Sequence, residues 1–203
     1  MGKVAFIVFE GGEGSGKTTQ AKALSNRLRR LGFPVVLTHE PGGTLLGNKL
    51  RRWVKWGRGV TTQTELFLFL ASRSQLLTKV IRPALEKGYI VICDRFDAST
   101  FAYQGYGRGM NLDFLKMVNT FVTDGFSPDL TVLLDLSAEQ GLGRKKMKLD
   151  VFEREEFLFH QKVREGYLKM AAVDPERWMV VEASLPEEKI QQIIWERVQK
   201  SLG

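Results

Sequence analysis

Apolar residues follow two alternating rhythms along the chain. VAFIVFE, PVVLTHE, YIVICDR, LTVLLDLS and WMVVEAS are short, β-rich runs of strand length. Between them the apolar positions take helical spacing. Ala21, Leu24, Leu28 and Leu31 share one face after the first run, and Ile190, Ile193, Ile194 and Val198 do so near the end. Strands that are apolar almost throughout have no solvent-facing side, so they predict a parallel sheet covered by helices on both faces. The expectation is an α/β fold, with five parallel strands in a three-layer α/β/α sandwich. No repeat, low-complexity tract or linker divides the chain, and residues 1–203 read as a single domain. One stretch breaks the rhythm: GLGRKKMKLDVFEREE is polar, charged and poor in large apolar side chains. It reads as a helix–loop–helix excursion, a mobile lid at about 141–154.

Composition narrows the setting more than the function. An apolar fraction of 43% with 26% charged residues is that of a soluble globular chain. No apolar run approaches the ~20 residues of a membrane helix, and no cleavage-site pattern precedes the first strand. A single cysteine builds neither an internal disulfide nor a zinc site. A cytoplasmic protein is expected, with no membrane role. The net charge of +7 fits either a nucleic-acid backbone or a pocket for small phosphorylated molecules, and does not choose between them.

Gly11 to Thr18, GGEGSGKT, follows the first strand and opens a helix, matching the phosphate-binding pattern G-x-x-x-x-G-K-[ST]. Its glycines let successive N–H groups converge on an anion at the positive end of the helix. The segment Gly11, Gly12, Glu13, Gly14, Ser15, Gly16, Lys17, Thr18 and Thr19 is therefore the expected ATP phosphate site. Lys17 would reach the β- and γ-phosphates, and the Thr18 hydroxyl would join a magnesium shell. A GTPase would need Asn-Lys-x-Asp; Asn48-Lys49-Leu50-Arg51 lacks the aspartate and comes too early. No LSGGQ-like transporter segment occurs. What remains is a small phosphotransferase, whose acceptor site must also be encoded. Asp94 and Arg95 follow YIVIC, at a strand's carboxyl end, where open parallel sheets hold their ligands. An aspartate there can hold the waters of magnesium, and an arginine can bridge donor and acceptor phosphates.

FEGGEGSGKTTQ, HEPGGT, FLASR, DRFDASTFAYQG and GLGRKK…LDVFERE stand in the order found in thymidylate kinases, and the chain resembles that family from about residue 4 to about residue 170. The resemblance extends more weakly into VVEAS. It implies a nucleoside-monophosphate-kinase fold, transfer of a phosphoryl group from ATP to dTMP with Mg2+, and a homodimer. No nucleic-acid partner is implied. The alternatives are a kinase for another nucleotide or a deoxynucleoside, or a P-loop ATPase that binds nucleic acid through its basic surface.

Arg73 lies four residues after Phe69, on one helix face. An aromatic ring stacks on a base, and a donor-only arginine suits the keto oxygen of thymine over the amino group of cytosine. The resemblance places Thr100 at the pyrimidine edge and Tyr103 against the sugar's 2′ position, with Gln104 a further pocket candidate. It implies that Glu13 contacts the acceptor's 3′-hydroxyl. By the same resemblance Glu40 looks like a magnesium-shell or arginine-orienting carboxylate. Arg51 matches a basic residue that contacts the acceptor phosphate, with Arg52 as its competitor and surface charge as the alternative for both. Some relatives carry an arginine within the phosphate loop. Gly14 stands there in this chain, so positive charge is expected from the lid, from Arg144, Lys145, Lys146 and Lys148. Arg144 matches the arginine that stacks on adenine, and Arg144 and Lys146 are the candidates for catalysis. The lid departs from the family by having mostly lysines, and by reading LDVFE with Val151 in place of an arginine. Cys93, His39 and His160 carry no expected chemistry, and Trp53 and Trp56 read as dimer contacts or core cover.

Overall fold

Each apolar run forms a strand, trimmed to its central residues: β1 (Phe6–Glu10), β2 (Val35–His39), β3 (Ile90–Asp94), β4 (Leu130–Asp135) and β5 (Trp178–Glu182). The computed structural model describes residues 5–56, 59–144 and 151–202. All pairings are parallel, in the order β2-β3-β1-β4-β5. This is the predicted five-stranded sheet. The central strand β1 lies between β3 and β4, so the chain leaves it where the strand order reverses, the usual ligand crevice of an open parallel sheet.

Alternate residues of β1 anchor opposite layers. Ile7 and Phe9 pack with Ala21, Leu24 and Leu28 of α1 (Lys17–Arg30) and with Ile190, Ile194 and Val198 of α9 (Glu187–Gln199). Phe6 and Val8 face the other way, against Leu76, Leu77 and Ile81. These belong to a long helical stretch made of α3 (Thr62–Leu76), a π-helical turn (Leu77–Ile81) and α4 (Arg82–Glu86). On the same side, Val163, Tyr167 and Ala171 of α8 (Val151–Val173) cover Leu133. The remaining helices are α2 (Leu45–Trp56), α5 (Asp97–Thr100), α6 (Leu112–Thr123) and α7 (Ala138–Arg144).

One feature departs from the sequence reading. Leu31 does not share the buried face of α1: it lies past the helix end and is 55% exposed. Gly32, at φ 86°, turns the chain there, and Phe33 packs on the core instead. The segment after Thr100 is not regular α-helix. Phe101–Gly107 forms a π-helical turn that carries Tyr103 and Gln104. Such turns are rare and often mark functional positions.

Candidate active site

The loop after β1 closes around Lys17. Its ammonium donates to the Gly12 carbonyl at 2.6 Å and to Ser15 Oγ at 3.1 Å. Burial, then the nearby Arg95 charge, pull the Lys17 pKa down to about 7, while Glu13, Asp94 and Glu10 oppose them. The loop thus holds an ammonium that an incoming anion would strongly favour. The Thr18 hydroxyl donates to the Asp94 carboxylate, uniting the start of α1 with the end of β3. Gly14, at φ 68°, lies so close to α7 that a Cβ there would meet the Gly141 carbonyl at 2.5 Å. That contact, with the positive φ, leaves no room for a side chain at this position of the loop.

Arg95 is the hinge of the site. Its backbone is left-handed, at φ 71°, an unfavourable conformation for a residue with a Cβ. Its NH1 donates to Gly11 O (3.2 Å), Ser99 Oγ (3.2 Å) and Tyr167 OH (3.4 Å). The NH2 group reaches Glu13 Oε1 at 3.1 Å and Tyr103 OH at 3.2 Å. Two clefts meet at this guanidinium. One is a groove along the phosphate loop, lined by Gly14–Thr19, His39, Arg51 and Asp94. The other is a cavity of about 200 Å³ lined by Phe69, Arg73, Thr100, Tyr103 and Gln104. Glu13, Glu40 and Arg95 line both.

Arg73 is 2% exposed and almost fully engaged. Nε donates to Glu40 (2.9 Å), NH1 to Asn119 Oδ1 (2.9 Å), and NH2 to both Phe96 O (3.1 Å) and Thr100 Oγ1 (3.0 Å). Guanidinium has five N–H donors, so these bonds leave one, on NH1. Burial pushes the Glu40 carboxyl up to about 7 against the pull of Arg73. Of its two expected partners, an arginine is the one Glu40 meets in this structure. Gln104 Nε2 donates to Glu65 at 2.8 Å. Since only the NH2 end of an amide can face a carboxylate, that bond fixes which way Gln104 points.

The structure therefore brings together Lys17, Thr18, Asp94 and Arg95 on the groove side, and Phe69, Arg73, Thr100, Tyr103 and Gln104 in the cavity, with Glu13 and Glu40 between. Arg51 lines the groove and donates to Pro41 O at 3.0 Å, while Arg52 is exposed without lining either cleft. Arg144 does not line the groove around Lys17. Its guanidinium instead spans Gly14 O (3.1 Å) and Ala183 O (3.0 Å), beside the phosphate loop. Lys145, Lys146 and Lys148 lie outside the described residues. Several participants escaped the sequence reading: Glu10, Ser99, Tyr167, Glu65 and Asn119. His39, set aside in the sequence, lines the groove. A carboxylate ending β1 was the one available signal for Glu10, since the next residue opens the phosphate loop. Nothing in sequence links positions 10, 99 and 167.

Comparison with known proteins places this geometry. The thymidylate kinase family model matches residues 9–194. A thymidylate kinase of Dehalococcoides mccartyi (strain CBDB1) is 50% identical over 201 residues, covering 98% of this chain and 97% of that protein. One from Thermomicrobium roseum is 45% identical, covering 95% and 93%. Among solved structures, thymidylate kinase from Ehrlichia chaffeensis superposes with a TM-score of 0.81 at 34% identity, covering 98% of this chain and all of that one. On these matches, which span nearly its whole length, the chain belongs to the thymidylate kinase family.

Proposed function

We propose that this chain transfers the γ-phosphoryl group of ATP to dTMP, giving dTDP and ADP. The observation that carries the reading is the junction of the two clefts at Glu13, Glu40 and Arg95. A phosphate-gripping groove that runs into a base-sized cavity suits two nucleotides lying phosphate to phosphate. ATP phosphates lie along Gly11–Thr19, with Lys17 on the β- and γ-oxygens. Thymine stacks on Phe69 and offers its keto oxygen to the remaining Arg73 N–H, beside Thr100 and Gln104. Tyr103 crowds the sugar and Glu13 takes its 3′-hydroxyl, while Arg51 holds the acceptor phosphate. Arg95 bridges the phosphates and stabilises the charge that spreads as the phosphoryl group moves. No general base is required, because the acceptor phosphate is already an anionic nucleophile.

Magnesium fits this donor set. Thr18 and Asp94 supply hard oxygens already in contact with each other beside the phosphate loop. Thr18 would bind the ion directly and Asp94 through water; once bound, it would draw charge from the phosphate oxygens. Among the described residues no cluster of three His, Cys, Asp or Glu forms. Arg144, tied to Gly14 and Ala183, takes the adenine side rather than the transfer point. The segment at about 141–154 closes as a lid over ATP, with Lys146 bringing charge, and the chain works as one domain.

The same reading includes a cytoplasmic homodimer. Its support is the apolar surface of α2, α3 and α6, where Trp53, Phe67, Met117 and Phe121 are 57–86% exposed. No helix among the described residues is long and apolar enough to cross a membrane. A coupled assay of ADP release across dTMP, dUMP, dCMP, dGMP and thymidine tests the acceptor. A strong preference for dTMP is expected. Preference for unphosphorylated thymidine, or ADP release needing only nucleic acid, would overturn the proposal.

A further inference from the structure

Glu10 ends β1, is fully buried and touches neither cleft, yet four donors converge on its carboxylate. Oε1 accepts from the backbone N–H of Phe96 (2.8 Å) and of Ser99 (3.2 Å). Oε2 accepts from the hydroxyls of Ser99 (2.7 Å) and Tyr167 (2.8 Å). Four donors on two oxygens fill the capacity of an ionised carboxylate and leave no room for a carboxyl proton. Burial works against that ionised form, and the Arg95 charge works for it.

The two hydroxyls then have fixed polarity. They also lie 2.9 Å from each other, and each has a single proton. With both protons on the shorter bonds to Glu10, at 2.7 and 2.8 Å, both hydroxyls present lone pairs elsewhere. What faces them is Arg95 NH1, at 3.2 Å from Ser99 Oγ and 3.4 Å from Tyr167 OH. Backbone bonds on either side of the Arg95 Cα hold the same residue. Phe96 N–H is the amide next to Arg95, and Arg95 N–H itself is held by Phe9 O at 2.9 Å. The left-handed turn at Arg95 is thus pinned on both flanks, as such backbone needs if it is to persist.

We infer that Glu10 is a positioning residue for phosphoryl transfer. It fixes the hydroxyls of Ser99 and Tyr167 as acceptors and anchors the amide beside Arg95, so that the guanidinium stands ready between the two phosphates. The inference deepens the function proposed above and rests on it for the consequence for turnover, though not for the position of Arg95.

Glu10→Gln tests this with little change of shape. The glutamine carbonyl can still serve the two backbone amides. Its NH2 group can only donate, so neither hydroxyl can give its proton there; one can turn to the other at 2.9 Å, and the second is left to aim its proton toward Arg95. A crystal structure of Glu10→Gln should show the guanidinium displaced from Ser99 and Tyr167. A guanidinium unmoved from the positions above overturns the inference whatever the activity. In steady-state kinetics kcat should fall roughly 10- to 100-fold, as for a lost charge-assisted bond, with the KM for ATP within about twofold. In an Arg95→Ala background the same substitution should cost less than about threefold, because the group it acts through is gone. Loss of the same size in both backgrounds, or unchanged kcat, contradicts it. Should Glu10→Gln fail to fold, Tyr167→Phe enters the same cycle with a loss of roughly 3- to 10-fold expected when Arg95 is present. Full turnover by Arg95→Ala alone would overturn the function proposed above, whereas the crystal structure judges Glu10 separately.

Discussion

Nucleotide binding should draw a proton onto Lys17. In the unliganded protein burial and Arg95 hold its pKa to about 7, against an ordinary value of 10.5. At pH 8 about 0.9 of the molecules should therefore carry a neutral Lys17, and at pH 6 about 0.1. Phosphate oxygens placed against the ammonium favour its charged form and return the pKa to its ordinary range or higher. Binding at pH 8 should then take up about 0.9 of a proton through this residue, and affinity should weaken roughly 50-fold between pH 7 and pH 9. Calorimetric titration with ADP, in pairs of buffers of different ionisation enthalpy, measures the uptake directly. Lys17→Arg is the reference, since guanidinium stays charged throughout, and the difference isolates Lys17 from the His39 imidazole in the same groove. Equal uptake by the two proteins at pH 8 would refute the reasoning. The shift also has a sign for the free protein. Between about pH 7 and 10.5 the unfolded chain binds a proton that the folded one has released, so this group's contribution to stability rises with pH across that window.

Arg95→Ala should lower kcat about 1,000-fold while the KM for ATP stays within about threefold, as expected for a charge used mainly in the transition state; steady-state kinetics at saturating dTMP checks this. Glu40→Ala strands the Arg73 charge in a buried site where the pair now lies 2.8 Å apart, and should cost about 3 kcal/mol in urea unfolding and raise the KM for dTMP. Gly141→Ala places a methyl against the Glu13 carbonyl and pushes α7 from the phosphate loop. It should raise the KM for ATP several-fold more than that for dTMP, in titrations of each substrate against saturating amounts of the other.

The strands and the phosphate loop were legible because their signals are local. VAFIVFE and YIVIC announce buried parallel strands by composition, and GGEGSGKT encodes its grip within eight residues. Phe69 and Arg73 were readable because helical spacing puts them side by side. The contacts of Arg73 were not: Glu40 and Thr100 were legible as site residues and Asn119 was missed, but that all three bond Arg73 follows only from the packing of α3 against α6 and the end of β2. Leu31 failed for the opposite reason. Its spacing was right, but Gly32 ended the helix first. Arg95 was identified from its place after a strand, yet its left-handed backbone and the carboxylate that supports it depend on residues 10, 99 and 167 converging in space.

A crystal structure with dTMP and an unreactive ATP analogue bound together tests the central claim most directly. The pyrimidine should lie on Phe69 with its keto oxygen at Arg73, and the facing phosphates should flank the Arg95 guanidinium. A base bound away from Phe69 and Arg73, or phosphates that do not meet at Arg95, would contradict it.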